Sequence, residues 1–183
     1  MTVNGWVRLM WEDEKLTWNP SDYGGLATLH LADHEIWEPD VVLYNSAVGN
    51  NVDHYGNTHC LAYPNGRILW VPPAQFSFFC DMDLTRWPFD THTCSMKLGS
   101  WTYSGEQLDL QTDETRVDVK VVVSEWDVVD VTKKRSSTYY ACCTEPYVDI
   151  EFNVTVKRHS PSYHAVVINP AIGKIYYFYD HKN

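Results

Sequence analysis

The sequence predicts an all-β fold, an Ig-like antiparallel β-sandwich of about nine to ten strands. Three observations predict it. Apolar and polar residues alternate in short runs, turn-forming residues stand between those runs, and no long segment carries an apolar stripe of helical period. In chain order the strand-like runs are residues 67–71 (RILWV), which Pro72 and Pro73 end, residues 117–123 (VDVKVVV) and residues 147–156 (YVDIEFNVTV). The turn chemistry lies at Asn19-Pro20, Gly24-Gly25, Asn65-Gly66 and Ser104-Gly105. Residues 174–179 (KIYYFY) read as an edge strand or a loosely attached tail, so residues 171–183 stand apart from the rest.

A chain of 183 residues is near the usual size of one domain and is long enough to bury a core, so residues 1–183 are taken as one domain. No linker, repeat or low-complexity tract divides it. With 44% hydrophobic and 21% charged residues, a disordered chain is excluded. No apolar stretch is long enough to cross a bilayer as a helix, and the segment after Met1 is too polar for a secretory signal.

The formal charge is -10, from 14 Lys+Arg against 24 Asp+Glu, which repels a phosphate backbone and argues against nucleic acid as a partner. A small cation is attracted to such a surface, although solubility accounts for the charge equally well. An enzyme is not indicated: there is no Ser, His and Asp set in a nucleophile motif and no glycine-rich phosphate loop. His30 and His34 have a ligand-like spacing, but that spacing brings them together only on a helix, and the region reads as strand and turn. No metal and no cofactor is expected.

Five cysteines remain to be placed. The segment between Cys80 and Cys94 contains Trp87-Pro88-Phe89-Asp90, whose proline favours a reversal that brings the two sulfurs together. Closing such a loop stabilises by about 3 kcal/mol in the chain-entropy model, which fits an exported protein and not a reducing cytosol. Cys142 and Cys143 are adjacent, and neighbouring α-carbons lie about 3.8 Å apart, below the roughly 4.4 Å of ordinary disulfides. They are either two thiols or a bridge across a distorted turn; the flanking aromatics, between two strand-like runs, suit a stiffened hairpin tip. Cys60 is left over and reads as a small buried hydrophobe. Asn153-Val154-Thr155 is a glycosylation sequon set inside a strand, so Asn153 is a weak candidate.

Eight Trp and twelve Tyr exceed what a core needs, and Tyr44, Trp101, Tyr103, Tyr140 and Tyr147 fall at strand ends or in loops. Gathered together, such rings form a cage whose negative faces attract an ammonium group, at roughly 0.5–2 kcal/mol per ring. Sugar stacking by a secreted sandwich is the rival use of the same residues; it has no need of adjacent cysteines.

These motifs occur in the order of a known family. Trp37-Glu38-Pro39-Asp40-Val41-Val42-Leu43-Tyr44-Asn45, the Cys80 to Cys94 segment with its Pro88-Phe89-Asp90, Gly99-Ser100-Trp101-Thr102-Tyr103, and Tyr140-Ala141-Cys142-Cys143-Thr144-Glu145-Pro146-Tyr147 run through the chain. The chain resembles, over nearly its whole length, the extracellular domain of nicotinic Cys-loop receptors and the acetylcholine-binding proteins. The resemblance implies disulfides Cys80–Cys94 and Cys142–Cys143. It implies a principal ligand face of Tyr44, Trp101, Tyr140, Cys142, Cys143 and Tyr147. Trp6-Val7-Arg8-Leu9-Met10-Trp11 is similar to the strand that lends a tryptophan from the neighbouring subunit, which gives a complementary face of Trp6 and Arg8 with Leu61, Leu69 and Val71. Both faces on one chain imply a head-to-tail ring of identical subunits, a homopentamer in this family.

The resemblance also extends to supporting residues. Lys97, Tyr140 and Asp149 match positions that exchange polar contacts as the capping loop closes, and Asp40 matches a buried carboxylate that braces the Trp101 loop. Arg8 is expected to lower the affinity for small cationic agonists, since like charges repel. The expected ligand is acetylcholine or a nicotine-like amine. The family's N-terminal helix and first strand are expected to be absent here. Residues 163–170 are similar to the entry into a receptor's first membrane helix, with membrane contact only through a channel domain that this chain lacks. The protein is then a secreted binding protein or a receptor's extracellular domain.

Overall fold

The computed structural model describes residues 1–48, 56–113, 117 and 125–180. Among them are ten strands: β1 (Thr2–Trp6), β2 (Leu9–Thr17), β3 (Leu29–Leu31), β4 (Val41–Leu43), β5 (Cys60–Ala62), β6 (Asn65–Trp70), β7 (Pro73–Ser77), β8 (Thr91–Ser100), β9 (Trp126–Tyr139) and β10 (Pro146–Arg158). They form sheets in the orders β2-β6-β5-β3 and β4-β8-β10-β9, with β1 paired to β7. The fold class is the all-β, sandwich-like one that the alternation predicts. The run at 117–123 lies, apart from Val117, outside the described residues.

The punctuation residues act as expected. Asn19 caps the 3-10 turn Pro20–Tyr23 by accepting from Ser21 N, and Gly24 and Gly25 leave it with φ of 64° and 86°. Gly66 turns β5 into β6 at φ 83°, where an added Cβ would lie 2.6 Å from the Asp13 carbonyl oxygen. A side chain at this turn is barred twice, by conformation and by space.

Chain contacts divide the molecule into two compact units. The first comprises Met1–Phe79, Lys97–Gln111 and Arg135–Ile150. Its core lies on one face of the β2-β6-β5-β3 sheet, where Cys60, Ala62, Ile68 and Trp70 are buried against Leu9, Trp11, Leu16, Trp18, Leu31 and Ile36. Cys60 is thus the buried small residue the sequence suggests; its Sγ donates to Glu38 Oε1 at 3.3 Å.

The second unit comprises Cys80–Met96, Thr112–Lys134 and Glu151–Asn183. Its centre is ionic. Arg158, 8% exposed at the end of β10, donates through Nε and Nη2 to the two oxygens of buried Asp90 at 2.8 and 3.0 Å. Its Nη1 reaches Glu125 Oε1 at 2.7 Å, and its guanidinium carbon stands 4.0 Å from the Trp126 ring centroid. His92 Nε2 and Asp90 Oδ2 are 2.6 Å apart. The guanidinium, and after it His92, hold the Asp90 carboxyl well below the usual carboxylate range, while Asp90 holds the Arg158 proton more firmly. The Tyr163 hydroxyl donates to Glu125 Oε1, a bond that raises the pH at which this phenol ionises.

Residues 174–179 are not an edge strand: they belong to the helix Asn169–Asp180, which continues the helical turns Pro161–Tyr163 and His164–Ile168. The aromatics mislead here, because ring-rich runs favour strands only where a sheet face receives them. Here Ile175, Tyr176, Tyr177 and Tyr179 are all largely exposed. No helix among the described residues is long and apolar enough to cross a membrane.

Candidate functional site

Every residue proposed for the ligand site lies in the first unit. The principal set is organised by one carboxylate. Asp40, just before β4, accepts through Oδ1 from Ser100 Oγ at 2.5 Å and through Oδ2 from the Thr102 backbone N at 2.8 Å and the Thr102 hydroxyl. Ser100 Oγ in turn accepts from Tyr103 N at 2.9 Å. The turn that follows β8 is therefore fixed on both sides of Trp101, and the indole is left 70% exposed. Asp40 is half-buried and not fully enclosed, contrary to the expectation of a buried carboxylate. Its three donors, the Ser100 and Thr102 hydroxyls and the Thr102 amide, all come from the turn that carries Trp101.

Tyr44 follows β4. Its backbone N donates to Lys97 O at 2.8 Å and its phenol donates to Ser100 O at 2.5 Å, which sets the ring centroid 6.4 Å from that of Trp101 at an interplanar angle of 67°. The phenol's ionisation is pushed up to about 12, first by burial and then by the nearby Tyr140, Asp149, Asp40 and Tyr147. At neutral pH it stays a neutral hydrogen-bond donor. Tyr140 and Tyr147 flank the turn between β9 and β10 and meet edge to face, with centroids 6.0 Å apart. Between them Cys142 and Cys143 are joined, their Cα atoms 3.8 Å apart, and Cys143 N closes the turn on Tyr140 O at 3.1 Å. The second bridge, Cys80–Cys94, also forms, with Cα atoms 5.1 Å apart.

Lys97 Nζ stands 3.1 Å from Asp149 Oδ2 and 5.9 Å from the Tyr44 ring centroid. Asp149 is 1% exposed, and the ammonium meets it off the line of a hydrogen bond, so it is charge, not an aligned donor, that compensates the buried carboxylate. Tyr140 meets the ring of Tyr147, which stands two residues before Asp149 on β10.

The complementary set sits on other strands. Trp6 ends β1 opposite Pro73 and is 76% exposed; it stacks on none of the four principal rings of its own chain. Exposed Arg8 lies between β1 and β2, its Nη2 3.5 Å from Met10 Sδ. Leu61 and Leu69 are direct cross-strand partners, and Val71, just past β6, is 40% exposed. Register adds two neighbours that sequence reasoning misses: Met10 faces Leu69 and His30 faces Leu61, so Met10, Leu69, Leu61 and His30 make one row across the sheet. Period two along each strand is the signal for such a row, but the pairing register is not written in the sequence. His30 stands in β3 and His34 in the turn Asp33–Glu35; among the described residues no cluster of three or more His, Cys, Asp or Glu could hold a metal. Asn153, in β10, is half-buried, with its side-chain oxygen accepting from Ser95 Oγ at 2.6 Å.

Residues 1–160 match the family described as neurotransmitter-gated ion-channel ligand binding domain. The chain is 44% identical to the acetylcholine receptor subunit alpha-like of Manduca sexta, over 94% of this chain and 36% of that protein. It is 40% identical to acetylcholine receptor subunit alpha-L1 of Schistocerca gregaria, over 96% of this chain and 33% of that protein. It is likewise 40% identical to human neuronal acetylcholine receptor subunit alpha-6, over 94% of this chain and 35% of that protein. The chain thus spans about a third of the length of these curated relatives.

Proposed function

Because this chain belongs to the neurotransmitter-gated ion-channel ligand-binding-domain family, we propose that it binds acetylcholine or a similar cationic amine in an aromatic cage between neighbouring subunits. The domain belongs to the extracellular side of the plasma membrane, as its disulfides lead one to expect. In this reading Tyr44, Trp101, Tyr140 and Tyr147 surround the ammonium group, and the Cys142–Cys143 tip folds over it. Trp6 of the next subunit closes the cage, with Arg8, Leu61, Leu69 and Val71 beside it. Lys97 and Asp149 supply the polar contacts that change as the tip closes, and Asp40 holds the Trp101 turn. Five copies of the chain, each offering one face of either kind, form the ring. Residues 1–183 act as one domain, since β8, β9 and β10 run through both compact units.

The observation that carries this reading is the Asp40-braced turn, which leaves a tryptophan 70% exposed within ring contact of Tyr44. An indole costs free energy to display in water, and an ammonium guest recovers it. The names of the relatives support a receptor subunit over a free binding protein. Exposed Phe89 within the Cys80–Cys94 segment supports the same choice, since an apolar residue there suits contact with a following channel domain.

The test is quenching of tryptophan fluorescence by acetylcholine or nicotine, on the wild-type chain and on Trp101→Ala. The wild type responds saturably, and Trp101→Ala weakens binding by about 30-fold, the equivalent of roughly 2 kcal/mol for a desolvated cation and ring pair. A wild-type chain that gives no response overturns the ligand class.

A further inference from the structure

We propose that Gly99 is a positioning residue for this site: the space left by its missing Cβ is the seat on which the Tyr44 ring lies. Gly99 is in β8, directly opposite Val42 of β4, and it is buried. Its φ is not in the left-handed region, which among the described glycines holds only Gly24, Gly25 and Gly66, so the backbone here accepts any residue. A glycine inside a strand weakens it and marks a close approach. The approach is that of Tyr44. A Cβ built on Gly99 would lie 2.5 Å from Tyr44 Cζ and 2.8 Å from Cε2, with the phenol oxygen closer still. Carbon atoms in contact need about 3.5–4.0 Å.

The ring is the far end of a side chain whose backbone is fixed by the Tyr44 N to Lys97 O bond. An alanine at 99 therefore displaces the ring and leaves the strand in place. The displaced phenol loses its bond to Ser100 O, its 6.4 Å approach to Trp101 and its place beneath Lys97 Nζ. Gly99 touches no ligand itself; it acts through Tyr44. The binding consequence rests on the cage proposed above, whereas the seat does not.

Both can be read separately on the full chain, using Gly99→Ala, Tyr44→Ala and the double variant. Acetylcholine binding is followed by fluorescence quenching, and the phenol itself by fluorine NMR titration of 3-fluorotyrosine at position 44, without ligand. Gly99→Ala is expected to fold and to weaken acetylcholine binding about five- to tenfold, the share of one ring. The double variant should bind no worse than Tyr44→Ala alone, since the two changes remove the same contact. The fluorophenol should titrate at lower pH in the Gly99→Ala background, because it leaves its buried place. Three results overturn the seat: an unchanged titration, a Gly99→Ala effect that persists in full without the Tyr44 ring, or a double variant that fails to fold along with Gly99→Ala. Should the wild type ignore acetylcholine, the cage falls and the titration still decides the seat.

Discussion

Cys80 and Cys94 are bridged across a sequence separation of 14, and the segment they close carries Asp90, which Arg158 holds by two hydrogen bonds. Cys142 and Cys143 are bridged across a single peptide bond at an exposed turn, with Tyr140 on one side and Tyr147 on the other. Chain-entropy reasoning separates the two at once. The longer closure removes freedom from the unfolded chain and stabilises by about 3 kcal/mol, while the adjacent pair closes almost no loop and contributes little of this kind. What the second bridge does is local: it stiffens one turn and fixes the approach of two phenol rings. One region holds the fold and the other shapes a surface, although both use the same bond.

Arg158→Leu tests the first half of that contrast most severely. It leaves Asp90, 2% exposed, without its main partner, and we expect a larger fall in thermal midpoint than from either bridge removal or from any change at Arg8. The pH profile gives a second readout. Because the folded-state pKa of Asp90 is depressed, its contribution is fully present above the ordinary carboxylate range near pH ~4 and is lost as pH falls below it. Acid unfolding of the wild type should therefore be steep there and shallower in Arg158→Leu. A variant with the wild-type midpoint and acid profile would show that the ion cluster does not hold this segment.

Next comes the pair of bridge removals. Cys80→Ser with Cys94→Ser should cost about 3 kcal/mol in denaturant unfolding. Cys142→Ser with Cys143→Ser should cost under about 1 kcal/mol and instead weaken acetylcholine binding. Equal losses of stability would erase the distinction. The smallest effect is at Arg8, whose guanidinium lies exposed beside Met10: Arg8→Gln should tighten acetylcholine binding about two- to threefold and leave stability unchanged, because a solvated like charge repels weakly. Unchanged affinity would reject a role for Arg8 in the cage.

The alternation that announces strands also carries information about charge. Val154, Val156 and Arg158 share one parity along β10, and all are buried. A buried arginine requires a carboxylate, and Asp90 and His92 share the buried parity of β8 and its approach. The ion cluster was thus half legible: period two places Arg158 inside, but which carboxylate meets it depends on a pairing of distant strands. Motif order singled out the residues proposed for the ligand site, but their mutual placement was not legible, since the Tyr44 seat on Gly99 and the row through Met10 and His30 arise from strand register. The helix Asn169–Asp180 was not legible because ring-rich sequence resembles a strand when no neighbour is known.

In the proposed cage two chains build each site, and mixing disabled chains tests this directly. Trp6→Ala retains a whole principal face and Trp101→Ala a whole complementary face, so each alone should bind acetylcholine poorly. Co-assembled in equal amounts and placed at random in closed rings, they should restore tight binding at about one interface in four. If co-assembled rings recover no tight sites, the two tryptophans do not meet across a subunit boundary and the proposed cage is wrong.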